Sequence, residues 1–215
     1  MKKQFGETVE GYKIPVLNER EIRAAAGILF LTVFIALMQI IFKGNFLPMK
    51  YFIVLFFVDF AIRLFIHPKF APSLILGRIM VTKQNPEYVG AAQKKFAWII
   101  GLVLASTMLL LMVILNTYSA ITGIICLICL LFLYFESVFG ICFGCIFYGW
   151  FYKEKAQYCP GEVCDVKAKQ PIQKISWLQV VVLVLFIVFV VGLVLLTRES
   201  LAATPVELFS TLNSK

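Results

Sequence analysis

The chain has 215 residues, of which 61% are hydrophobic and 15% are charged, and its mean hydropathy is +0.91. Soluble domains carry about 25% charged residues, so this composition excludes an ordinary water-soluble protein. The formal net charge of +8 would fit nucleic-acid binding, but the placement of the charges, described below, argues against that class.

Five long apolar blocks follow one another along the chain. A helix needs roughly 20 apolar residues to cross a hydrocarbon layer about 30 Å thick. The blocks are Ala24–Phe42, Tyr51–His67, Phe96–Tyr118, Ala120–Tyr152 and Trp177–Thr197. They predict an all-α membrane protein with a four-helix transmembrane bundle core within residues 1–152. A Cys-containing loop, 153–176, then leads to a fifth C-terminal transmembrane helix and a short tail, 177–215.

The first block is predicted to be a membrane anchor, because its polar lead-in is over twenty residues long and no small-residue cleavage motif follows Phe42. The sequence NERE precedes the block, with Asn18 in the N-cap position and Glu21 three residues later. This spacing is typical of a capping box and predicts that the first helix begins just after Asn18.

The basic residues are distributed unequally between the two sides of the predicted bundle. Fifteen of the 20 Lys and Arg residues fall in the segments 1–23, 68–96 and 153–176, which share one side. The opposite side holds Lys43, Lys50, Arg198 and Lys215. The positive-inside rule therefore predicts a cytoplasmic N-terminus and an external C-terminus. The charge is then a topology signal and a lipid contact, and no nucleic-acid partner is expected.

The second block carries ionisable residues at helical spacing. Asp59, Arg63 and His67 lie four residues apart, which would place them along one face of a helix. A charge in the middle of a membrane helix is costly and commonly marks a function, so Asp59 and Arg63 are candidates for a proton or anion site. The alternative is a structural ion pair, and His67 is expected near the interface, since Pro68 ends the helix.

Glu136 is the corresponding buried charge in the fourth block and a further candidate for the proton or anion site. It and Arg63 are both predicted in the cytoplasmic halves of their helices, so an ion pair between Arg63 and Glu136 is expected. In the third block, Ala97, Gly101 and Ala105 recur every four residues and predict close helix packing. The fifth block has few polar residues and is expected at the lipid-facing periphery, and residues 72–81 are expected along the cytoplasmic surface.

The six cysteines form three close pairs in the sequence. Cys126 and Cys129 lie deep in the fourth block, where small buried hydrophobes are the simpler interpretation. Cys142 and Cys145 are predicted on one helix face near the cytoplasmic boundary, unless Gly140 breaks the helix and Cys142 opens a new segment. The last pair flanks a Pro-Gly turn in the cytoplasmic loop: Cys159 and Cys164.

Two kinds of chemistry fit the last four cysteines. The cytoplasm keeps thiols reduced, so a stable structural disulfide is not expected. Thiol–disulfide exchange or sulfur transfer would use one pair to attack and the other to resolve. A four-thiolate metal site is the alternative, although its second pair has loose spacing. The residues in question are Cys142, Cys145, Cys159 and Cys164.

These motifs resemble a bacterial integral-membrane family known as domain of unknown function 4395. The resemblance rests on NERE, on Asp59 with Arg63, on KFAP, on FAWIIG and on FES followed by FGICFGC. It covers about residues 14–152 and implies a four-helix core to which the last helix is an addition. The family brings no established activity.

The function expected from the sequence is intramembrane thiol–disulfide exchange or sulfur transfer in the bacterial inner membrane. A cytoplasmic thioredoxin-like donor and a homo-oligomer are the expected protein partners, beside the lipid bilayer, and the sequence requires no cofactor. Transport of a small sulfur-containing anion and four-thiolate metal binding remain alternatives. No Walker loop, dinucleotide fingerprint or HExxH motif occurs.

Overall fold

The computed structural model describes residues 5–143, 147 and 174–207. Its helices are α1 (Glu19–Lys43), α2 (Leu47–Ala61), α3 (Pro72–Met80), α4 (Ala91–Met108), α5 (Ala120–Phe139) and α6 (Trp177–Leu201). π-Helical turns extend α2 through Ile62–Ile66 and α4 through Leu109–Ile114, and a 3-10 turn spans Pro68–Phe70. The predicted all-α architecture is confirmed.

Two small pairs of strands join distant parts of the chain. Strand β1 (Val16–Asn18) pairs antiparallel with β2 (Tyr88–Gly90), so that the entries to α1 and α4 lie side by side. Strand β3 (Thr117–Tyr118) pairs in parallel with β4 (Val206–Glu207) at the opposite end of the bundle. Each pair therefore fixes the ends of helices that are far apart in sequence.

Helices α1, α2, α4 and α5 form the core, with α1 packed against α2, α3 and α5, and α2 packed against α4. Glycines set the closest approaches. A Cβ atom on Gly77 of α3 would lie 2.4 Å from the carbonyl oxygen of Glu21, and one on Gly101 of α4 would lie 2.5 Å from Cε1 of Phe60. The predicted small-residue packing of α4 is confirmed at Gly101 and at Ala105, which is buried.

Four helices are long and apolar enough to cross a membrane: Glu19–Lys43, Ala91–Ile114, Ala120–Phe139 and Trp177–Leu201. They fit a multi-pass membrane protein. The segment from Leu47 to Ile66 carries Lys50, Asp59 and Arg63, each no more than 3% exposed. Its charges are thus held by protein groups, which is how membrane proteins tolerate them.

Helix α6 lies at the periphery, as predicted. Its one buried residue is Gln179, whose side-chain amide donates to the carbonyl of Lys69 at 2.8 Å. At the other end, the buried Lys50 ammonium donates to Asn116 Oδ1 (2.6 Å) and to the carbonyls of Leu201 (3.3 Å) and Ala203 (2.5 Å). Lys50 is therefore a structural contact to the last turn of α6, although the sequence suggested only a topology charge.

Several predicted boundaries were wrong. Helix α1 begins after Asn18 as expected, but the Asn18 side chain accepts from the amide of Arg20 and donates to the Glu21 carboxylate, so the expected reciprocal capping box is not formed. Helix α2 begins earlier than Tyr51, and α5 ends at Phe139 rather than at Tyr152. Residues 72–81 contain α3, which is largely buried against α1, and their expected position along the cytoplasmic surface stays a prediction.

Candidate functional site

Asp59 and Arg63 form a buried ion pair that also holds the start of α3. Arg63 Nε donates to Asp59 Oδ2 at 2.9 Å. Ser73 donates its backbone amide to Asp59 Oδ1 at 2.9 Å and its hydroxyl to Oδ2 at 2.6 Å, and its hydroxyl accepts from Arg63 Nη2 at 2.6 Å. The pair predicted within α2 is confirmed, and Ser73 is a third member that the sequence spacing did not indicate.

The predicted stripe of ionisable residues stops at Arg63. The helical segment ends at Ile66, and His67 has extended backbone torsions (φ −173°, ψ 142°). Its Nδ1 atom accepts from the backbone amide of Lys69 at 3.2 Å, which caps the 3-10 turn. His67 therefore does not continue the face of Asp59 and Arg63, because the residue before Pro68 is kept out of helical geometry.

The guanidinium of Arg63 is held between two aromatic rings. Its Cζ atom lies 4.4 Å from the ring centroid of Phe60 and 5.0 Å from that of Trp98. A guanidinium over the face of an aromatic ring gains a favourable cation–π interaction when it is removed from water. Arg63 is thus held by an ion pair, a hydroxyl and two rings.

Glu136 pairs with Lys94. The prediction of an ion pair between Glu136 and Arg63 is therefore wrong. The Lys94 ammonium contacts Glu136 Oε1 and also lies 2.7 Å from Glu19 Oε2. Glu19 is fully buried and Lys94 is 3% exposed on its side chain, so α1, α4 and α5 meet at one buried ammonium between two carboxylates. Arg63 is paired with Asp59, four residues earlier on its own helix, and Lys94 is the cation that contacts Glu136.

The C-terminus of α5 is built by Gly140 and Arg23. Gly140 adopts a left-handed conformation (φ 66°) that ends the helix, a common role of glycine. Arg23 Nε and Nη2 donate to the carbonyls of Ser137 (3.3 Å) and Val138 (2.9 Å). The break at Gly140 is confirmed, whereas the common helix face of Cys142 and Cys145 stays a prediction because Cys145 lies outside the described residues. Cys142 lies after the break, and helical conformation resumes at Phe143, as the alternative interpretation of Gly140 required.

The polar residues meet around one cavity in the core. A cavity of about 70 Å³ lies between α1, α2, α4 and α5, with walls that are largely aliphatic and aromatic. Its lining includes Arg63, Glu136, Cys129 and Cys142. Four residues from α2, α5 and the segment after the glycine break, separated by up to 79 positions (142 − 63) in the sequence, thus share one interior space. This cavity is the candidate functional site.

The remaining predicted cysteines divide into two groups. Cys126 lines a separate apolar cavity of about 30 Å³ that it shares with Cys129. Cys126, Cys129 and Cys142 are not in disulfides. Cys145, Cys159 and Cys164 lie outside the described residues, so the proximity of four sulfur atoms stays a prediction. Within residues 5–143, 147 and 174–207, no group of three His, Cys, Asp or Glu residues could hold a metal ion.

A second polar cluster attaches the N-terminal segment to the bundle. Arg78 of α3 donates to Glu21 of α1 through Nε at 3.0 Å, and its Nη2 lies 2.9 Å from the same carboxylate oxygen and 3.9 Å from Glu7. Burial raises the pKa of Glu7 above the ordinary glutamate value, and the charges of Arg78 and Lys69 oppose the shift. The cluster positions α3, whose first turn in turn holds Asp59.

Sequence reasoning missed several residues around the cavity. Ser73 and Trp98 carried no charge signal, and Lys94 was counted only as a basic residue of a loop. Glu19 was visible within NERE, but its burial was not, because a carboxylate next to a helix start is usually solvated. Spacing along one helix reveals partners on that helix, whereas these contacts connect different helices.

Residues 17–153 match the model of the family described as domain of unknown function 4395. The chain belongs to this family. The matched residues include α1 to α5 and end before α6. The resemblance implied the same division, with the last helix added to a shared core. No curated protein and no solved structure matches the chain.

Proposed function

We propose that this member of the family carries out intramembrane thiol–disulfide exchange or sulfur transfer, with Cys142 as the reacting cysteine of the cavity. The observation that supports it is the shared lining of Arg63, Glu136, Cys129 and Cys142 in an otherwise apolar space. Apolar cavities with a few convergent polar groups are the usual form of small-molecule sites. A thiol, a carboxylate and a fixed cation in one cavity are the groups that a thiol-exchange site needs.

The proposed reaction uses Cys142 and a second cysteine, for which Cys145, Cys159 and Cys164 are the candidates. The Cys142 thiolate attacks one sulfur of a disulfide, and that S–S bond breaks as a mixed disulfide forms. The second cysteine then displaces the remaining substrate sulfur. Two electrons pass to the substrate, and the two protons released by the protein thiols pass to the two product thiols.

The charged residues have separate roles in this proposal. Glu136 lines the cavity and accepts or returns the thiol proton, while Lys94 keeps its carboxylate in place. Arg63 presents the positive end of a neutral ion pair at the wall, and Asp59 holds that guanidinium through the 2.9 Å hydrogen bond. Asp59 is a positioning residue here, because its oxygens are occupied by Arg63 and Ser73.

The proposed membrane topology indicates from which side the electrons come. We propose the bacterial inner membrane, with a cytoplasmic N-terminus and an external C-terminus, because most basic residues lie in the segments on the N-terminal side. Electrons would then come from a cytoplasmic thioredoxin-like dithiol, which reduces the oxidised cysteine pair after each cycle. A homo-oligomer is compatible with the exposed apolar side chains of α6.

We favour thiol chemistry over transport of a sulfur-containing anion. An anion site would need a cationic group with spare capacity, whereas Arg63 is engaged by Asp59, Ser73 and two rings, and Lys94 by two carboxylates. Four-thiolate metal binding would draw on Cys142 with Cys145, Cys159 and Cys164, and the experiment below separates it from exchange.

The test is acid trapping of the full-length protein followed by thiol alkylation and mass spectrometry. A bond from Cys142 to a second cysteine, formed under mild oxidant and removed by reductant, is expected. Cys126→Ser serves as the matched control and should leave that bond unchanged, because Cys126 lines only the second cavity. Six freely alkylated thiols under oxidant would contradict the proposal. One zinc or copper per chain, lost in Cys159→Ser, would favour the metal site instead.

A further inference from the structure

We infer that the compound reacting at Cys142 is a small uncharged disulfide, of the size of dimethyl disulfide. The inference names the substrate class of the cavity and rests on the proposed function. It follows from two properties of the cavity, its volume and the state of its charged residues, that are independent of which cysteine resolves the mixed disulfide.

The volume sets the size. A dry protein cavity of about 150 Å³ holds a benzene molecule, and the cavity at Cys142 measures about 70 Å³. By the same measure it encloses about half of a molecule of that size, which corresponds to the reacting S–CH₃ end of a small disulfide. Its walls are side chains of closely packed helices. At Gly101, for example, an added Cβ atom would lie only 2.5 Å from Cε1 of Phe60. The cavity is therefore too small to enclose a peptide disulfide.

The ion pairs set the charge. Among the described lining residues, Arg63 and Glu136 are the basic and acidic side chains. Arg63 is paired with Asp59, and Glu136 is paired with Lys94, which also neutralises part of the charge of Glu19. An anion or a cation that came to Cys142 would lose its hydration without gaining an uncommitted partner, and moving an unpaired charge out of water is costly. An uncharged compound has no such cost.

The reaction balances for a small disulfide. The thiolate of Cys142 attacks one sulfur of dimethyl disulfide, the S–S bond of the reagent breaks, and a Cys142–S–S–CH₃ bond forms. Methanethiolate leaves and takes the proton that Cys142 released, which Glu136 can carry because it lines the same cavity. The thiol of Cys142 is oxidised and one sulfur of the reagent is reduced, so no further oxidant takes part.

Access to Cys142 is tested with three methanethiosulfonates on full-length reduced protein in lipid nanodiscs. The methyl reagent is small and uncharged, the sulfonatoethyl reagent is an anion and the trimethylammonioethyl reagent is a cation. Rates at Cys142, localised by fragment-ion mass spectrometry, are divided by rates on protein denatured in detergent. The normalised methyl rate is expected to exceed both charged rates by at least about ten-fold, given the cost of burying a charge. Equal normalised rates, or a faster anion, would overturn the inference.

A cavity-filling variant provides the matched control. Ala97 lines the cavity on α4, whereas Ala92 lies on the same helix, is exposed and does not line it. Ala97→Leu is expected to slow the methyl reagent at Cys142 by about ten-fold or more because packed interiors leave no space beside a filled cavity. Ala92→Leu should leave the rate unchanged. If Ala97→Leu does not fold, the comparison of the three reagents on the unaltered protein still decides the question.

A second arm separates this inference from the proposed function. Oxidation of Cys142 is followed with dimethyl disulfide and, separately, with oxidised glutathione, which is larger and anionic. Exchange with dimethyl disulfide alone supports both proposals. Selective methyl labelling without any disulfide exchange would leave the size and charge selection standing and contradict the thiol-exchange function. Exchange with oxidised glutathione at an equal rate would contradict the selection and support the function.

Discussion

The carboxylate of Asp59 accepts a hydrogen bond from the backbone amide of Ser73 at 2.9 Å and another from its hydroxyl at 2.6 Å. Ser73 is the second residue of α3, whose own N-cap residue, Ala71, has no side-chain acceptor. A carboxylate of α2 thus caps the start of α3, where the exposed amides favour negative charge. The same carboxylate holds Arg63 beside the cavity, so one residue couples helix geometry to the candidate site.

Loss of the Asp59 charge is expected to destabilise the protein strongly. Asp59→Asn keeps the size of the side chain but leaves Arg63 buried without its counter-charge, so a loss of about 3–5 kcal/mol in unfolding free energy is expected. Ser73→Ala removes a hydroxyl from the same network and should cost about 1 kcal/mol. Denaturant unfolding of the purified protein in detergent micelles provides the measurement.

The Asp59→Leu, Arg63→Met double variant tests whether the two charges act as a pair. Because it removes both buried charges, it should be more stable than the sum of the two single changes predicts. Strict additivity of the single and double variants would show that the Asp59–Arg63 pair contributes no coupling, in conflict with the geometry described above.

A methyl group at position 101 is expected to disturb the packing of α2 on α4. The Cβ atom of Gly101→Ala would lie 2.5 Å from Phe60 Cε1, so the ring that also stacks on Arg63 must move. Overpacking of this kind costs about 1–3 kcal/mol. Gly123→Ala in α5 is the matched control. Its Cβ would meet nothing within 4 Å, and the higher helix propensity of alanine should leave stability equal or raised.

The Gly101→Ala variant also has a readout beyond stability. Since Phe60 lines the cavity, displacement of its ring should change the rate at which Cys142 reacts with the methyl reagent, while Gly123→Ala should not. Phe60→Leu combined with Gly101→Ala is expected to restore part of the lost stability by making room for the methyl group. A tolerated Gly101→Ala with an unchanged rate would argue against the packing described here.

Replacement of the buried Lys94 is expected to destabilise the protein strongly. Lys94→Met leaves the carboxylates of Glu19 and Glu136 without their shared cation, and breaking a buried ion pair costs about 3–5 kcal/mol. The adjacent Lys95 is exposed and contacts only the ring of Phe5 among the described cation–π pairs, at 5.2 Å. Lys95→Met should therefore cost under about 1 kcal/mol. Similar losses at the two neighbouring positions, measured by thermal or denaturant unfolding, would contradict this arrangement.

Glu7 is expected to make the stability pH-dependent in an unusual direction. Its pKa in the folded protein is raised by burial above the ordinary value of 4.5, despite Arg78 and Lys69. Between these two pKa values the folded state binds more protons than the unfolded state, so the contribution of Glu7 to stability is full below pH 4.5 and is lost as the pH rises through the folded pKa.

The Glu7 effect is measured as a difference between variants. The unfolding free energy of the unaltered protein minus that of Glu7→Gln should fall as the pH rises from about 4.5 towards neutrality. Glu10→Gln, at an exposed position of the same segment, is the control and should give a smaller change. A difference that rises with pH would show that the attraction of Arg78 and Lys69 outweighs burial.

The sequence predicted the helices well and their ends less well. Long apolar blocks located α1, α4, α5 and α6 because crossing a hydrocarbon layer requires length and apolar composition, both of which are local. The end of α5 was mistaken because composition stays apolar through Tyr152, whereas Gly140 ends the helix through its backbone conformation. The same break places Cys142 outside α5.

The sequence identified several residues of the candidate site but fewer of the contacts between them. Asp59 and Arg63 were paired correctly because a four-residue step on one helix brings side chains together. The partner of Glu136 was not, since Lys94 lies 42 residues away on another helix. The predicted depth in the membrane showed only which charged residues lie at similar levels. Which of them form a pair depends on how the helices pack against one another.

By itself the sequence determined that this chain folds into apolar helices and that a few ionisable residues and thiols lie among them, because hydrophobicity and helical spacing act over short distances. The tertiary structure alone decided that Arg63, Glu136, Cys129 and Cys142 line one cavity, that Lys94 neutralises two carboxylates and that Asp59 caps α3. These contacts join different helices. They depend on the rotation and approach of each helix, which close packing at positions such as Gly101 and Gly77 determines.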